Sequence, residues 1–365
     1  MRPLRIVHVV GARPNFMKIA PVLEACGKRP RLQSTLVHTG QHYDEKMSRL
    51  FFEELSIPRP DVDLEVGSGS QAAQTALILQ RIEPLLVERR PDVVLVVGDV
   101  NSTVACGLAA VKLGIRLAHV EAGLRSFDRS MPEEINRLVT DAISDLLFVT
   151  EQSGLDNLAR EGVAPEKVHF VGNVMIDTLV KHRASAERSG ILERLRLASG
   201  GYAVLTLHRP ANVDDAATFA GLLEPIAELS REVPVVFPVH PRTRAALAAV
   251  SSAWPVGADV RPIEPLGYLD FLKLTSDARL VLTDSGGIQE ETTILGVPCV
   301  TLRDNTERPV TITHGTNVLA GTDGPGIRDA IARARAGRAA PASPPPLWDG
   351  RAAERIADVL EAFEP

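Results

Sequence analysis

Cysteine is scarce. The three in 365 residues, Cys26, Cys106 and Cys299, lie far apart, each in an apolar or helical context. No pair has metal-ligand spacing, so neither a disulfide framework nor a metal centre is expected. Buried free thiols in a reducing compartment are the expected state. Aromatic residues make up 4% of the chain, too few for the stacking platforms that hold single-stranded nucleic acid. Positive charge is not in excess. The formal net charge is −6 and the pI is near 5.9, which argues against a general nucleic-acid binder. No apolar run approaches membrane-span length. The apolar part of MRPLRIVHVV is too short for a signal peptide and runs into a glycine turn. A soluble cytoplasmic protein with no membrane partner is therefore expected. Walker A, HExxH and GxSxG patterns are also missing.

What the chain does have is a hydrophobic content of 45%, enough for a sizeable core, in a length that favours two α/β domains. β-branched runs such as Leu4–Val10, Asp92–Val97 and Ile115–Val120 read as buried parallel strands, each followed by a polar turn and a helical pattern. The polar turns hold the candidate chemistry. Gly11-Ala12-Arg13-Pro14-Asn15 follows the first strand, with Lys18 on the helix beyond it. Asp99 and Glu121 fall at the same edge of two successive strands, and Glu133 and Glu134 open a helix that starts with Pro132. Each acid taken singly has an ordinary reading, as a turn former or as a helix-dipole cap. Several acids facing one edge point instead to a site. In the second half, His208-Arg209 and His240-Pro241-Arg242 each follow a strand, the usual place for a ligand in a doubly wound sheet.

The stretch TDSGGIQEETTILGVPCVTLRDNTERP, residues 283–309, reads as strand, tight glycine turn and helix. Such a turn leaves backbone N–H groups at a positive helix end, a ready phosphate site. Glu290 and Glu291 follow within reach of a ribose, and an arginine beyond the next strand can clamp a diphosphate. Gly67-Ser68-Gly69 begins like a dinucleotide fingerprint, but its third glycine is missing. The first domain is expected to span residues 1–172 and the second 173–348. A linker rich in Ala and Pro, 337–346, precedes a last helix within 349–365, expected to pack back on the first domain.

The motifs GARPNFMK, HTGQH, GDVNST, HVEAGLRS, MPEEINR, VGNVMID, LTLHRPANVD, HPRT, LGYLDFL, TDSGGIQEE and TERP run over nearly the whole chain. Together they resemble the non-hydrolysing UDP-N-acetylglucosamine 2-epimerases. The resemblance implies the glycosyltransferase-B fold, two doubly wound Rossmann-like α/β domains facing across a cleft. It also implies a homodimer that uses no cofactor and no metal and converts UDP-GlcNAc reversibly to UDP-ManNAc. Hydrolysing relatives, and relatives acting on other UDP-sugars, share most of these motifs. By the resemblance the catalytic groups fall on Asp99, Glu121, Glu133 and His208. Substrate contacts fall on Arg13, Lys18, Phe271, Ser285, Gly286, Gly287, Glu291 and Arg308. Gln41, His42, Arg209 and His240 resemble an effector pocket for a second UDP-sugar.

Overall fold

The computed structural model describes residues 2–41, 45–250, 257–337 and 343–364. His42 lies outside them, and so does the side chain of Arg13. The chain divides into two compact units, Met1–Lys181 with Pro346–Pro365, and His182–Pro345. Among the described residues no helix is long and apolar enough to cross a membrane.

The first unit is built on seven strands: β1 (Leu4–Val10), β2 (Leu32–His38), β3 (Val62–Asp63), β4 (Val93–Val97), β5 (Arg116–Ala122), β6 (Leu146–Val149) and β7 (Val168–Phe170). All pairings are parallel, in the order β3-β2-β1-β4-β5-β6-β7. Every residue of β4, Val-Val-Leu-Val-Val, is buried. An unbroken apolar run is what a parallel strand covered on both faces requires. On one face, Ile78, Ile82 and Leu86 recur every fourth residue of the helix Gln71–Arg89. They pack with Ala105 and Ala109 of the helix Asn101–Lys112 onto Val7, Val9, Val94 and Val96.

The second unit repeats the plan with six strands: β8 (Ala203–Thr206), β9 (Val235–Pro238), β10 (Val260–Ile263), β11 (Leu280–Thr283), β12 (Cys299–Thr301) and β13 (Asn317–Leu319). Their order is β10-β9-β8-β11-β12-β13, again all parallel. In both sheets the chain runs outward in one direction through three strands, then returns to the middle and runs the other way. That reversal opens a crevice at the carboxyl ends of the two central strands. The crevices lie beyond β1 and β4 in the first unit and beyond β8 and β11 in the second.

The carboxyl-terminal helix Ala352–Ala362 belongs to the first unit. Its first two N–H groups, of Ala352 and Ala353, donate to the Asp177 carboxylate at 3.1 and 2.7 Å. Trp348 Nε1 donates to the Thr150 carbonyl at 2.9 Å. The segment before it runs so close that a Cβ on Gly172, whose φ is +87°, would lie 2.1 Å from the Leu347 carbonyl oxygen. Burial lifts the Asp177 carboxyl to about 6, in spite of the two backbone donors. An acid whose pKa rises on folding contributes most at low pH and less as pH rises through the folded value. Asp177→Ala strands two buried donors, so urea unfolding should report a loss of about 1–3 kcal/mol. The loss should be larger at pH values below the Asp177 pKa of about 6 than above it.

Candidate functional site

In the first unit the central crevice is stitched by Asn15. Its Oδ1 accepts from the N–H groups of Gly11 and Ala12 at 3.2 and 3.0 Å, and its Nδ2 donates to the Val97 carbonyl at 2.9 Å. The exits of β1 and β4 are thereby tied together. Gly98, at φ +68°, makes the turn after β4, and a Cβ there would meet Lys18 Nζ at 3.0 Å. Lys18 and Glu121 form a buried ion pair. Glu121 itself stands at φ +76°, where the register between β5 and β6 shifts between Val120 and Ala122.

Asp99, partly exposed, is paired with the buried guanidinium of Arg137, and its carbonyl accepts from Asn136 Nδ2 at 2.8 Å. Arg137 also donates to Glu134 Oε2, through Nη2 at 2.6 Å and Nε at 3.0 Å. Glu134 holds the loop ahead of it, accepting from the N–H groups of Ser126 at 2.9 Å and Phe127 at 3.0 Å. Burial opposes its charge, but these donors and Arg137 hold its carboxyl below the ordinary range. Glu133, one residue earlier, is half-buried. The two glutamates look alike in sequence. The helix turns Glu134 inward into a structural role and leaves Glu133 on a more open side.

In the second unit, β11 ends in Asp284, which is fully buried. Its carboxylate accepts from the N–H groups of His208 and Arg209 at 3.0 and 2.9 Å and from Asn212 Nδ2 at 3.2 Å, and lies 2.8 Å from His208 Nδ1. Burial works against the charge, yet His208 and the backbone donors bring the Asp284 carboxyl down to about 2. Asp284 thus fixes the His208 ring through Nδ1 and leaves Nε2 outside that contact. The His240 ring lies 5.9 Å from it, centroid to centroid.

Beyond β11, Ser285 precedes the helix Gly286–Leu295. Gly286 has no room for a side chain, since a Cβ would lie 2.4 Å from Arg308 Nη1. Around it three guanidiniums converge on one carboxylate, Glu307. Arg308 bonds it through Nη1, Arg303 through Nη2 at 2.7 Å, and Arg209 stands off at 3.5 Å. Glu307 is 2% exposed. Its burial alone would favour the protonated form, but the three arginines hold its carboxyl well below the ordinary range. Arg308 is also bonded to Glu290. Glu291 differs: burial lifts its carboxyl to about 7, against a hydrogen bond from the Tyr268 hydroxyl at 3.1 Å and with Glu290 adding to the rise. Phe271 is half-buried on the helix Tyr268–Ser276 and packs against this unit's core.

The expected residues therefore collect at two switch points. Lys18, Asp99 and Glu121 lie at the first, and His208, Ser285, Gly286, Gly287, Glu291 and Arg308 at the second. Of the expected effector residues, Gln41 is turned inward, its Oε1 accepting from Ser102 N and Oγ at 3.1 and 2.7 Å. Arg209 is engaged with Asp284 and Glu307, and His240 stacks near His208. The sequence reading missed Asn15, Arg137, Asp141, Asp284 and Glu307 as members. Only Asp284 and Glu307 carried a local signal, being an acid at a strand end and an acid between arginines.

The sequence model of a family described as UDP-N-acetylglucosamine 2-epimerase matches residues 24–361. A UDP-N-acetylglucosamine 2-epimerase of Methanococcus maripaludis is 42% identical over 335 residues, covering 90% of each chain. A UDP-2,3-diacetamido-2,3-dideoxy-D-glucuronate 2-epimerase of Pseudomonas aeruginosa is 41% identical over 364 residues, covering 98% of this chain and 99% of that one. Among solved structures, the Methanocaldococcus jannaschii UDP-GlcNAc 2-epimerase in complex with UDP-GlcNAc and UDP superposes with a TM-score of 0.93. It is 40% identical, over 99% of this chain and 100% of that one.

Asp284 links β11 to the His208 turn, so its removal should be felt as stability. Asp284→Ala strands two backbone donors, and should cost about 1–3 kcal/mol at neutral pH. Because the folded pKa lies near 2, below the unfolded value of about 4, wild-type Asp284 contributes in full above the unfolded value. That contribution fades as pH falls through the folded one. Denaturant melts of the two proteins should converge toward acid.

Proposed function

The chain belongs to the UDP-N-acetylglucosamine 2-epimerase family, and from that premise we propose that it inverts C2 of UDP-N-acetylglucosamine reversibly, without hydrolysis. The observation that carries this reading is the cluster of Arg209, Arg303 and Arg308 on Glu307 beside the Gly286 helix start. It is an anion site suited to a diphosphate that departs and returns.

The C2 hydrogen of an N-acetyl sugar is not acidic, because no carbonyl is adjacent to that carbon. If the bond from C1 to the diphosphate oxygen breaks first, its electron pair leaves with UDP and positive charge develops at C1. The C2–H bond then supplies the electrons for a C1–C2 double bond, and a carboxylate takes the proton. The products are 2-acetamidoglucal and UDP. In the return, a proton arrives at C2 on the opposite face and the diphosphate oxygen bonds C1 again. Two faces call for two proton-transfer groups, and in this reading Asp99 and Glu121 are nearest the sugar. Glu133 and His208 tune or relay protons, with His208 oriented by Asp284. Arg13, Lys18, Arg308 and the Gly286-Gly287 helix end hold the diphosphate, and Glu291 takes the ribose hydroxyls. Phe271 and Ser285 complete the nucleotide contacts. A homodimer in the cytoplasm accords with the same reading. The Pseudomonas relative supports a second reading, in which the same inversion acts on a UDP-diacetamido-glucuronate.

Proton NMR of an incubation in D2O tests the proposal. UDP-GlcNAc should give UDP-ManNAc carrying deuterium at C2, with UDP-GlcNAc favoured at equilibrium because its N-acetyl group is equatorial. Stoichiometric release of UDP and free ManNAc would reverse the reading toward hydrolysis, and turnover of the glucuronate alone would favour the second reading. Asp99→Asn and Glu121→Gln should each lower turnover by about two orders of magnitude or more.

Glu291 adds a pH dependence. A carboxylate is the better acceptor of ribose hydroxyls, and this one gains its charge only as pH rises through about 7. UDP-GlcNAc affinity, read by calorimetry, should therefore tighten across that range. The rise should disappear in Glu291→Gln. An equal slope in both proteins would remove Glu291 from the ribose.

A further inference from the structure

Glu121 has a backbone conformation that side chains avoid. Its φ of +76° is left-handed, a strain that persists only where the surroundings over-determine it. One carboxylate does so from both sides. Two residues earlier, His119 Nδ1 lies 2.6 Å from Asp141 Oδ1. Two residues later, the Gly123 N–H donates to Asp141 Oδ2 at 3.0 Å. Arg125 Nη1 reaches the same oxygen at 2.7 Å, and Arg125 is paired in turn with Glu161 of the helix Gln152–Arg160 region. Asp141 itself projects from the helix Pro132–Ile143 and is 2% exposed.

The other ring nitrogen of His119 makes a second contact. Nε2 lies 2.8 Å from the carbonyl oxygen of Gly98, the residue before Asp99. A carbonyl only accepts, so Nε2 carries a proton. Asp141, facing His119, Arg125 and the Gly123 amide, offers Nδ1 a second acceptor, so the wholly buried ring stands between two acceptors. Burial opposes charge on Asp141, but His119 and Arg125 hold its carboxyl below the ordinary range.

We infer that Asp141 is a positioning residue. Through the His119 ring and the Gly123 amide it clamps Glu121 in its left-handed conformation and ties it to the Gly98–Asp99 turn. The two carboxylates are then fixed relative to each other, although they stand on different strand ends. The inference rests on the reading of Asp99 and Glu121 as proton-transfer groups, while the clamp itself has a readout that needs no substrate.

The test is Asp141→Asn, with wild type beside it. In the variant the amide oxygen still receives the Gly123 and Arg125 donors, but the amide NH2 faces His119 Nδ1, which must give up its proton. Long-range proton–nitrogen spectra of histidine-labelled protein near neutral pH should show a doubly protonated His119 in wild type. In Asp141→Asn they should show a neutral ring with its proton on Nε2, the resonance being identified by its loss in His119→Gln. On UDP-GlcNAc, kcat should fall about 10- to 100-fold in Asp141→Asn, the scale of a slightly misplaced reacting group. UDP affinity by calorimetry should move far less than kcat. A merely structural role would lower the melting temperature and leave the split between kcat and affinity untouched. If Asp141→Asn does not fold, the wild-type ring state and the kcat of His119→Gln carry the test. A neutral His119 in wild type, or a folded Asp141→Asn with normal kcat, would overturn the clamp. A wild type with the doubly protonated ring but no turnover of any UDP-sugar would uphold the clamp and sink the functional reading.

Discussion

A carboxylate taken out of water must be met by donors or cations, and this constraint shapes both switch points. Glu121, Asp141, Asp284 and Glu307 are each at most 3% exposed. Left alone, each would stay protonated or unfold its surroundings. Each is instead met by donors or cations: Lys18 at Glu121, Arg125 and the His119 ring at Asp141, the His208 ring with two backbone amides at Asp284, and the arginine cluster at Glu307. The acids sit where a parallel sheet has to place polar residues. The strands are buried along their length, so hydrophilic side chains crowd into the turns beyond the carboxyl ends.

The two units share one strand order but load it with opposite chemistry. The first surrounds its switch point with acids, each paired with basic side chains. In the second, the arginines gathered on Glu307 outnumber it, and Gly286 gives up its side chain so that Arg308 can lie against the helix start. One strand order thus carries differently charged turns in the two units.

Much of this was legible in the sequence because it is local. Val93–Val97 reads as a buried strand by composition alone, and Asp99 follows from its position at the strand's end. The Gly286-Gly287 turn announces a helix start. Two edge strands, β3 and β10, were harder. β3 has two residues, and β10 contains Pro262, which a central strand would not tolerate but an edge permits. The clamp residues were harder still. Asp141 looks like any polar residue in an amphipathic helix, and its partners His119 and Gly123 lie 22 and 18 residues away in the chain. Only the folded sheet brings them around Glu121. The choice between Glu133 and Glu134 likewise depends on which side of a helical turn meets Ser126 and Phe127.

Glu307 explains how the second switch point holds so much positive charge in a buried setting. Three guanidiniums near one another repel, and burial makes the repulsion worse; Arg303 is depressed below the ordinary arginine range, chiefly by burial, with Arg209 and Arg308 contributing. Glu307 divides that repulsion by standing between them, and Glu290 draws Arg308 to one side. If the acids matched the arginines one for one, the cluster would be neutral. If Glu307 were absent, the arginines would spread into solvent and lose their preorganised geometry. Two carboxylates among three guanidiniums keep the donors in place and leave the cluster net positive.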